Sequence, residues 1–219
     1  MLRWTRTAVA VGVAAVLVGC SKGSIIESRG DTTTPAPVGQ PVDAKEIDSL
    51  VVPMDQVPGT GDSLRHSTVD SHPLSSPSPA GSCLLAKLPA GHVAVFGNDT
   101  IAFRNMNYVG FSNVYVAQAI GIYADVSNAN TVFEQLINGL QACKSDGGEV
   151  SVDSIAPNRA MWHAHAFSPV KGTDETSFAT DARTVKNVVF TVTAGHFDNS
   201  QQIAASTADQ IAAKINKPL

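Results

Sequence analysis

His163-Ala164-His165 is the stretch of this chain best placed for metal chemistry. Residues i and i+2 of a strand share one face, so both imidazoles can meet a single ion. Zinc would want a third ligand, and His196 or Asp198 on a later strand is the candidate. Structural zinc sites are normally closed and contain cysteine. The competing reading is a polar, half-solvated sheet face with Trp162 filling the core behind it. No other cofactor is expected, because the chain carries no G-x-G-x-x-G and no P-loop.

The three cysteines are Cys20, Cys83 and Cys143. Residues 1–19 read as a targeting segment: Arg3 and Arg6 form a positive start, and a short apolar run follows from Thr7 to Val18. It closes on Leu17-Val18-Gly19-Cys20, which matches the bacterial lipobox, with small residues before a cysteine that receives a diacylglyceryl group. Cys20 is therefore the expected lipidation site and the membrane an expected partner through that anchor. Lipid chains hold a protein to a bilayer by about 0.8 kcal/mol per buried CH₂. Cys83 and Cys143 then remain, and an even count in an exported chain reads as one disulfide. Closing that loop is worth about 4 kcal/mol in the chain-entropy model.

Catalytic patterns are missing. There is no G-x-S-x-G, and no serine is placed by motif beside a histidine and an acid. Asp125, Glu134 and Glu175 are scattered rather than paired as glycoside hydrolysis requires. No catalytic residue is assigned, and no enzyme is expected. The formal net charge is −4, and loss of residues 1–19 would remove two of the 15 basic residues against 19 acids. That balance, with no basic cluster, argues against a nucleic acid partner.

A binding groove is the sharper expectation. Phe103, Tyr108, Phe111, Tyr115, Tyr123, Trp162 and Phe167 all fall in the strand-rich region. Most belong in an ordinary core. Tyr108, Tyr115 and Trp162 are the preferred groove residues, because each has a polar tip able to face a ligand. Asn105, Asn107 and Asn113 offer neutral hydrogen bonds to headgroups or glycans, or lie in a solvated loop.

The elements that must position these groups follow from periodicity. The organising helix is 127–143, with Ala129, Val132, Phe133, Leu136, Ile137 and Leu140 on one stripe, Ser127 as N-cap and Gly147-Gly148 beyond its end. Ser200 to Ile215 repeats the pattern with Ile203, Thr207, Ile211 and Ile215. Asp43 to Val52 reads as a capped helix ended by Pro53, and Leu84, Leu85 and Leu88 as a short one before Pro89. Strands are expected at 100–108, 114–124, 149–155, 159–167, 177–184 (weaker) and 186–197. Pro58 to Ser82 reads as a long turn-rich loop. Ser21 to about Gln40 is polar and rich in Thr, Pro and Gly, a flexible stalk. The expected organisation is a signal peptide over 1–19, a lipidated N-terminus and stalk over 20–42, and a domain over 43–219. Short turns favour antiparallel pairing. The expected fold is α+β, a single twisted antiparallel sheet with helices packed on one face.

Cys83 before a Leu-rich turn, a helix ending on Cys143, the strand NVVFTV and the final helix IAASTADQIAAKI carry a resemblance. From about Asp43 to Leu219 the chain resembles the PknH-like extracellular domain family of mycobacteria. That family includes the sensor domain of a receptor serine/threonine kinase and lipoproteins bearing the domain alone. The resemblance implies an antiparallel sheet flanked by helices, a cleft for an unidentified ligand, and often two disulfides. Cys83 and Cys143 match one pair. The second would fall near Thr180-Asp181 and near Gly195, where this chain has no cysteine. The functional expectation is an extracytoplasmic lipoprotein whose sensor-like domain binds a small or lipidic envelope ligand. The alternative is a non-enzymatic module for an envelope protein partner, with its exposed patch on the 58–82 loop.

Overall fold

Every residue of the strand Val188–Gly195 is buried. A strand whose side chains alternate sides can be buried throughout only if both faces of its sheet are covered. The structure, a computed structural model, describes residues 40–75, 84–87, 90–143, 150–166 and 176–217. The strands are β1 (Leu64–Asp70), β2 (Ala102–Gly110), β3 (Tyr115–Ile122), β4 (Val150–Ala156), β5 (Arg159–Ala166), β6 (Thr176–Val185) and β7 (Val188–Gly195). They form one seven-stranded sheet in the order β1-β2-β3-β7-β6-β5-β4. All neighbours pair antiparallel. The expected α+β class with a single antiparallel sheet is what the chain adopts.

Helices are α1 (Ile47–Leu50), α2 (Leu84–Lys87), α3 (Val93–Phe96), α4 (Val126–Cys143) and α5 (Ser200–Asn216). Parity along β3 and β7 sorts the core into two. Val116, Ile120 and Ile122 of β3 and Val188, Phe190 and Val192 of β7 pack with Ile203, Ile211 and Ile215 of α5 and with Leu50 of α1. The intervening Ala119 and Val189 pack with Phe133, Leu136 and Leu140 of α4. The two long helices therefore cover opposite faces of the sheet rather than the one face expected.

Buried side-chain amides and charges fix this arrangement. Asp181 is fully buried on β6 and accepts from Arg159 at 2.7 Å and from Arg183 at 3.0 and 2.9 Å. Arg183 also reaches Asp209 of α5 at 2.6 Å, tying helix to sheet. Burial opposes the charge on Arg183, but its hydrogen bonds and attraction to Asp181, then Asp209, more than offset this and hold its pKa above the ordinary value. On the opposite face Thr180 and Thr193, cross-strand partners of β6 and β7, share a hydrogen bond of 2.9 Å. That pair stands near where the family resemblance implies a second disulfide.

Several local expectations are corrected. The stretch 58–82 is not all loop, because β1 pairs with β2 along most of its length. Only Leu64 of β1 is fully buried, so an edge strand left polar by solvent shows no alternation to read. Asp125, not Ser127, caps α4: its Oδ1 accepts from the Asn128 N–H at 2.8 Å. The Asp43–Val52 helix is a 3-10 turn at Ala44–Glu46 followed by α1, started by Asp43 accepting from the Lys45 N–H at 2.9 Å. Ten-residue β6 is an interior strand and not a weak one.

Candidate functional site

The segment 40–57 is strapped to the sheet and α5 by side chains that mimic peptide groups. Asn187 Oδ1 accepts from the Val42 N–H at 2.7 Å, while its Nδ2 donates to the carbonyls of Val42 at 3.1 Å and Tyr123 at 2.8 Å. Gln118 does the same to Val52, and Tyr108 Oη donates to the Val52 carbonyl at 2.9 Å. Lys214 of α5 donates to the Val51 carbonyl at 2.5 Å, and Gln210 to that of Gln56 at 3.3 Å.

Between this strap, the β6–β7 turn and the end of α5 lies a pocket of about 610 Å³. Such a volume lies within the range of small-molecule sites, about 300–1,000 Å³. Its walls are Gln40–Val42, Glu46, Ser49 and Leu50 on the strap, Lys186 from the turn, and Lys214 to Lys217 from the helix end. Lys186 Nζ donates to the Ile215 carbonyl at 2.9 Å. Among the described residues, no ion pair involves Lys186, Lys214 or Lys217. Burial, then the charge of Lys217, lowers the pKa of Lys214 below the ordinary lysine value. The sequence has no run of basic residues here; the fold brings these lysines together from a turn and a helix terminus.

Lys186 is held at φ 53° in a two-residue turn between cross-strand partners Val185 and Val188. Positive φ at the first turn position normally takes glycine. In the sequence the turn's only mark is a Lys186-Asn187 pair between two apolar runs.

The expected groove residues do not converge. Tyr108 is buried in the α5-side core with its hydroxyl bonded to Val52. Trp162 is buried on the α4 side, its indole N–H donating to the Ala86 carbonyl at 3.0 Å. Tyr115 packs against the α4-side core with its ring over Gly195, where any Cβ would lie 2.2 Å from Cε1. Burial pushes the Tyr115 phenol far above its ordinary value. Asn105 is fully buried and donates to Asp70 at 3.2 Å, Asn107 is half-buried, and Asn113 sits in an exposed turn.

Nor do the histidines assemble. His163 Nδ1 lies 2.8 Å from Asp153 Oδ2 on neighbouring β4, His165 is exposed, and His196 follows β7 at positive φ with its ring 6.3 Å from that of Tyr115. Among the described residues no three His, Cys, Asp or Glu side chains are grouped to hold an ion. Cys20 and Cys83 lie outside the described residues, as do the expected signal peptide and most of the expected stalk; Cys143 is buried at the end of α4. A second, shallower cavity of about 470 Å³ lies beside Arg65 and Phe111.

The family model described as the PknH-like extracellular domain matches residues 42–214. The chain belongs to this family. The match begins at Val42, the residue gripped by Asn187. The crystal structure of the extracellular domain of PknH from Mycobacterium tuberculosis is similar to it, with a TM-score of 0.59 at 19% identity over 82% of this chain and 99% of that one. At that identity the likeness speaks for the fold. No curated protein matches the chain. An extracellular domain suits an extracytoplasmic location, and among the described residues no helix is long and apolar enough to cross a membrane.

Proposed function

We propose that the chain is a non-enzymatic, sensor-type binding domain, tethered to the outer side of the cell membrane by lipid on Cys20. It takes a small or lipidic envelope ligand in the pocket between the strap, the β6–β7 turn and the end of α5. The pocket itself carries this reading. Its walls come from separate segments pinned by buried hydrogen bonds, so its shape exists before a ligand arrives, which lowers the ordering cost of binding. Family membership supports the extracytoplasmic placement, and the lipobox supports the anchor.

Native mass spectrometry of the full chain from the envelope fraction tests the reading. The expected result is a discrete added mass that is lost on denaturation; bare chain mass in both states would overturn it. Cys20→Ala is expected to move the chain out of the membrane fraction.

A second reading, a protein-interaction module, draws on Phe111. It is 71% exposed and followed by Ser112 and Asn113, both at positive φ, beside the Arg65 guanidinium at 5.3 Å. Non-glycine backbone at positive φ clusters at functional sites, and an exposed aromatic ring offers a large contact area. Crosslinking in cells that yields the same products from wild type and Phe111→Ser would remove this reading.

A further inference from the structure

We infer that the pocket recognises a phosphate ester of a polyol, with Lys186, Lys214 and Lys217 on the phosphate and Glu46 on the hydroxyls; this rests on the pocket reading above. Three lysines line one cavity in a chain whose formal net charge is −4, so the cluster is not a by-product of a basic composition. Lys186 and Lys214 each spend one hydrogen bond on a carbonyl, Ile215 and Val51 respectively. An ammonium has three N–H donors, so each keeps two for a further acceptor. A carbonyl orients an ammonium without neutralising it, and a phosphate would supply the missing opposite charge.

Cations at a helix C-terminus are ordinary complements to the helix dipole. That accounts for Lys214 and Lys217. Lys186 meets the same helix end through the Ile215 carbonyl, but it comes from the sheet and occupies a backbone conformation that favours glycine. A glycine would relax this turn but would leave the cavity without its third lysine. Glu46 and Ser49 also line the cavity, with the Ser49 hydroxyl already donating to the Glu46 carbonyl at 2.6 Å. A carboxylate repels a second phosphate and accepts from hydroxyls, so the ligand that fits carries charge at one end and hydroxyls at the other.

A soluble sugar or glycerol phosphate and a phospholipid headgroup share this chemistry. Calorimetry of the full chain in phosphatidylcholine vesicles would use glycerol phosphate as the probe and glycerol as the control. Binding is expected for glycerol phosphate alone, and Lys186→Gln/Lys214→Gln should weaken it by about tenfold or more. Lys45→Gln, at an exposed position outside the pocket, should leave it unchanged. Lys217→Gln, which removes no side-chain hydrogen bond, should weaken it without affecting the fold. Adding phosphatidylglycerol to the vesicles distinguishes the sources: competition with the probe identifies a headgroup, and none identifies a soluble ester. Absence of glycerol phosphate binding, or equal binding by all variants, overturns the inference. If the chain as isolated then retains a ligand free of phosphorus, the pocket reading survives and only the ligand class falls.

Discussion

The side-chain amide of Gln118 pairs with the backbone of Val52 as a neighbouring strand would. Oε1 accepts from the Val52 N–H at 2.9 Å and Nε2 donates to the Val52 carbonyl at 2.8 Å. Both residues are fully buried. The strap that walls the pocket is thus held from the centre of the sheet. Gln118→Leu would strand a buried donor and weaken the satisfaction of a buried acceptor, for a loss of about 3 kcal/mol. Urea unfolding measures it. Limited proteolysis should also begin to cut within 40–57 in this variant.

Lys186→Gly separates stability from binding. Glycine relieves positive φ at the first turn position, for a gain of about 1 kcal/mol, offset in part by the lost hydrogen bond to Ile215. Unfolding should show equal or higher stability while glycerol phosphate binds more weakly. A variant that is both less stable and unimpaired in binding would mean that Lys186 serves the fold alone.

The three tyrosines, Tyr108, Tyr115 and Tyr123, all have phenol pKa values raised chiefly by burial. A phenol with a raised folded pKa stabilises the fold fully below the unfolded value of 10.0, and that contribution is lost as pH rises through the folded pKa. Ultraviolet titration should therefore show little tyrosinate at pH 10 in the folded chain, then a cooperative rise with unfolding. Ordinary titration of even one tyrosine near 10.0 would contradict the burial described.

Lys214 contributes with the opposite sign. Burial and then Lys217 lower its folded pKa, so it costs stability at neutral pH, and that cost is relieved as pH rises toward 10.5. The stability of Lys214→Met relative to wild type should accordingly fall between neutral pH and about pH 10. A phosphate on the site favours the charged form, so binding at alkaline pH should take up protons, visible as a buffer-dependent enthalpy.

Cys83 directly precedes α2 in sequence, and α2 packs against α4, which ends on buried Cys143. The Cys83–Cys143 bridge is expected to make the unreduced chain two hydrogens lighter, and its loss to cost about 4 kcal/mol. Alkylation of both thiols without reductant, in unfolded protein, would exclude it.

What the sequence made legible follows from which interactions are local. Phe133, Leu136 and Leu140 recur at helical spacing, and α4 lies where that stripe puts it. The NVVFTV run sets Val188, Phe190 and Val192 against Asn187, Val189 and Thr191, a mixed second parity that conceals how fully both faces are covered. Edge strand β1 was hidden because its side chains face water. The pocket was hidden because Glu46, Lys186 and Lys214 come from distant parts of the chain and meet only through Asn187, Gln118 and their backbone partners. The polar tips of Tyr108 and Trp162 suit a ligand in the sequence, but buried tips find carbonyls inside the protein.

The most direct measurement is hydrogen exchange on the full chain as isolated, compared with the same chain after solvent extraction of any bound ligand. A ligand seated in the pocket would slow exchange at 42–50, 186–188 and 214–217, and extraction would release it there. Unchanged exchange in those segments, or a difference confined to 62–66 and 111–114 around Phe111, would contradict the site and move the function to the other end of the strap.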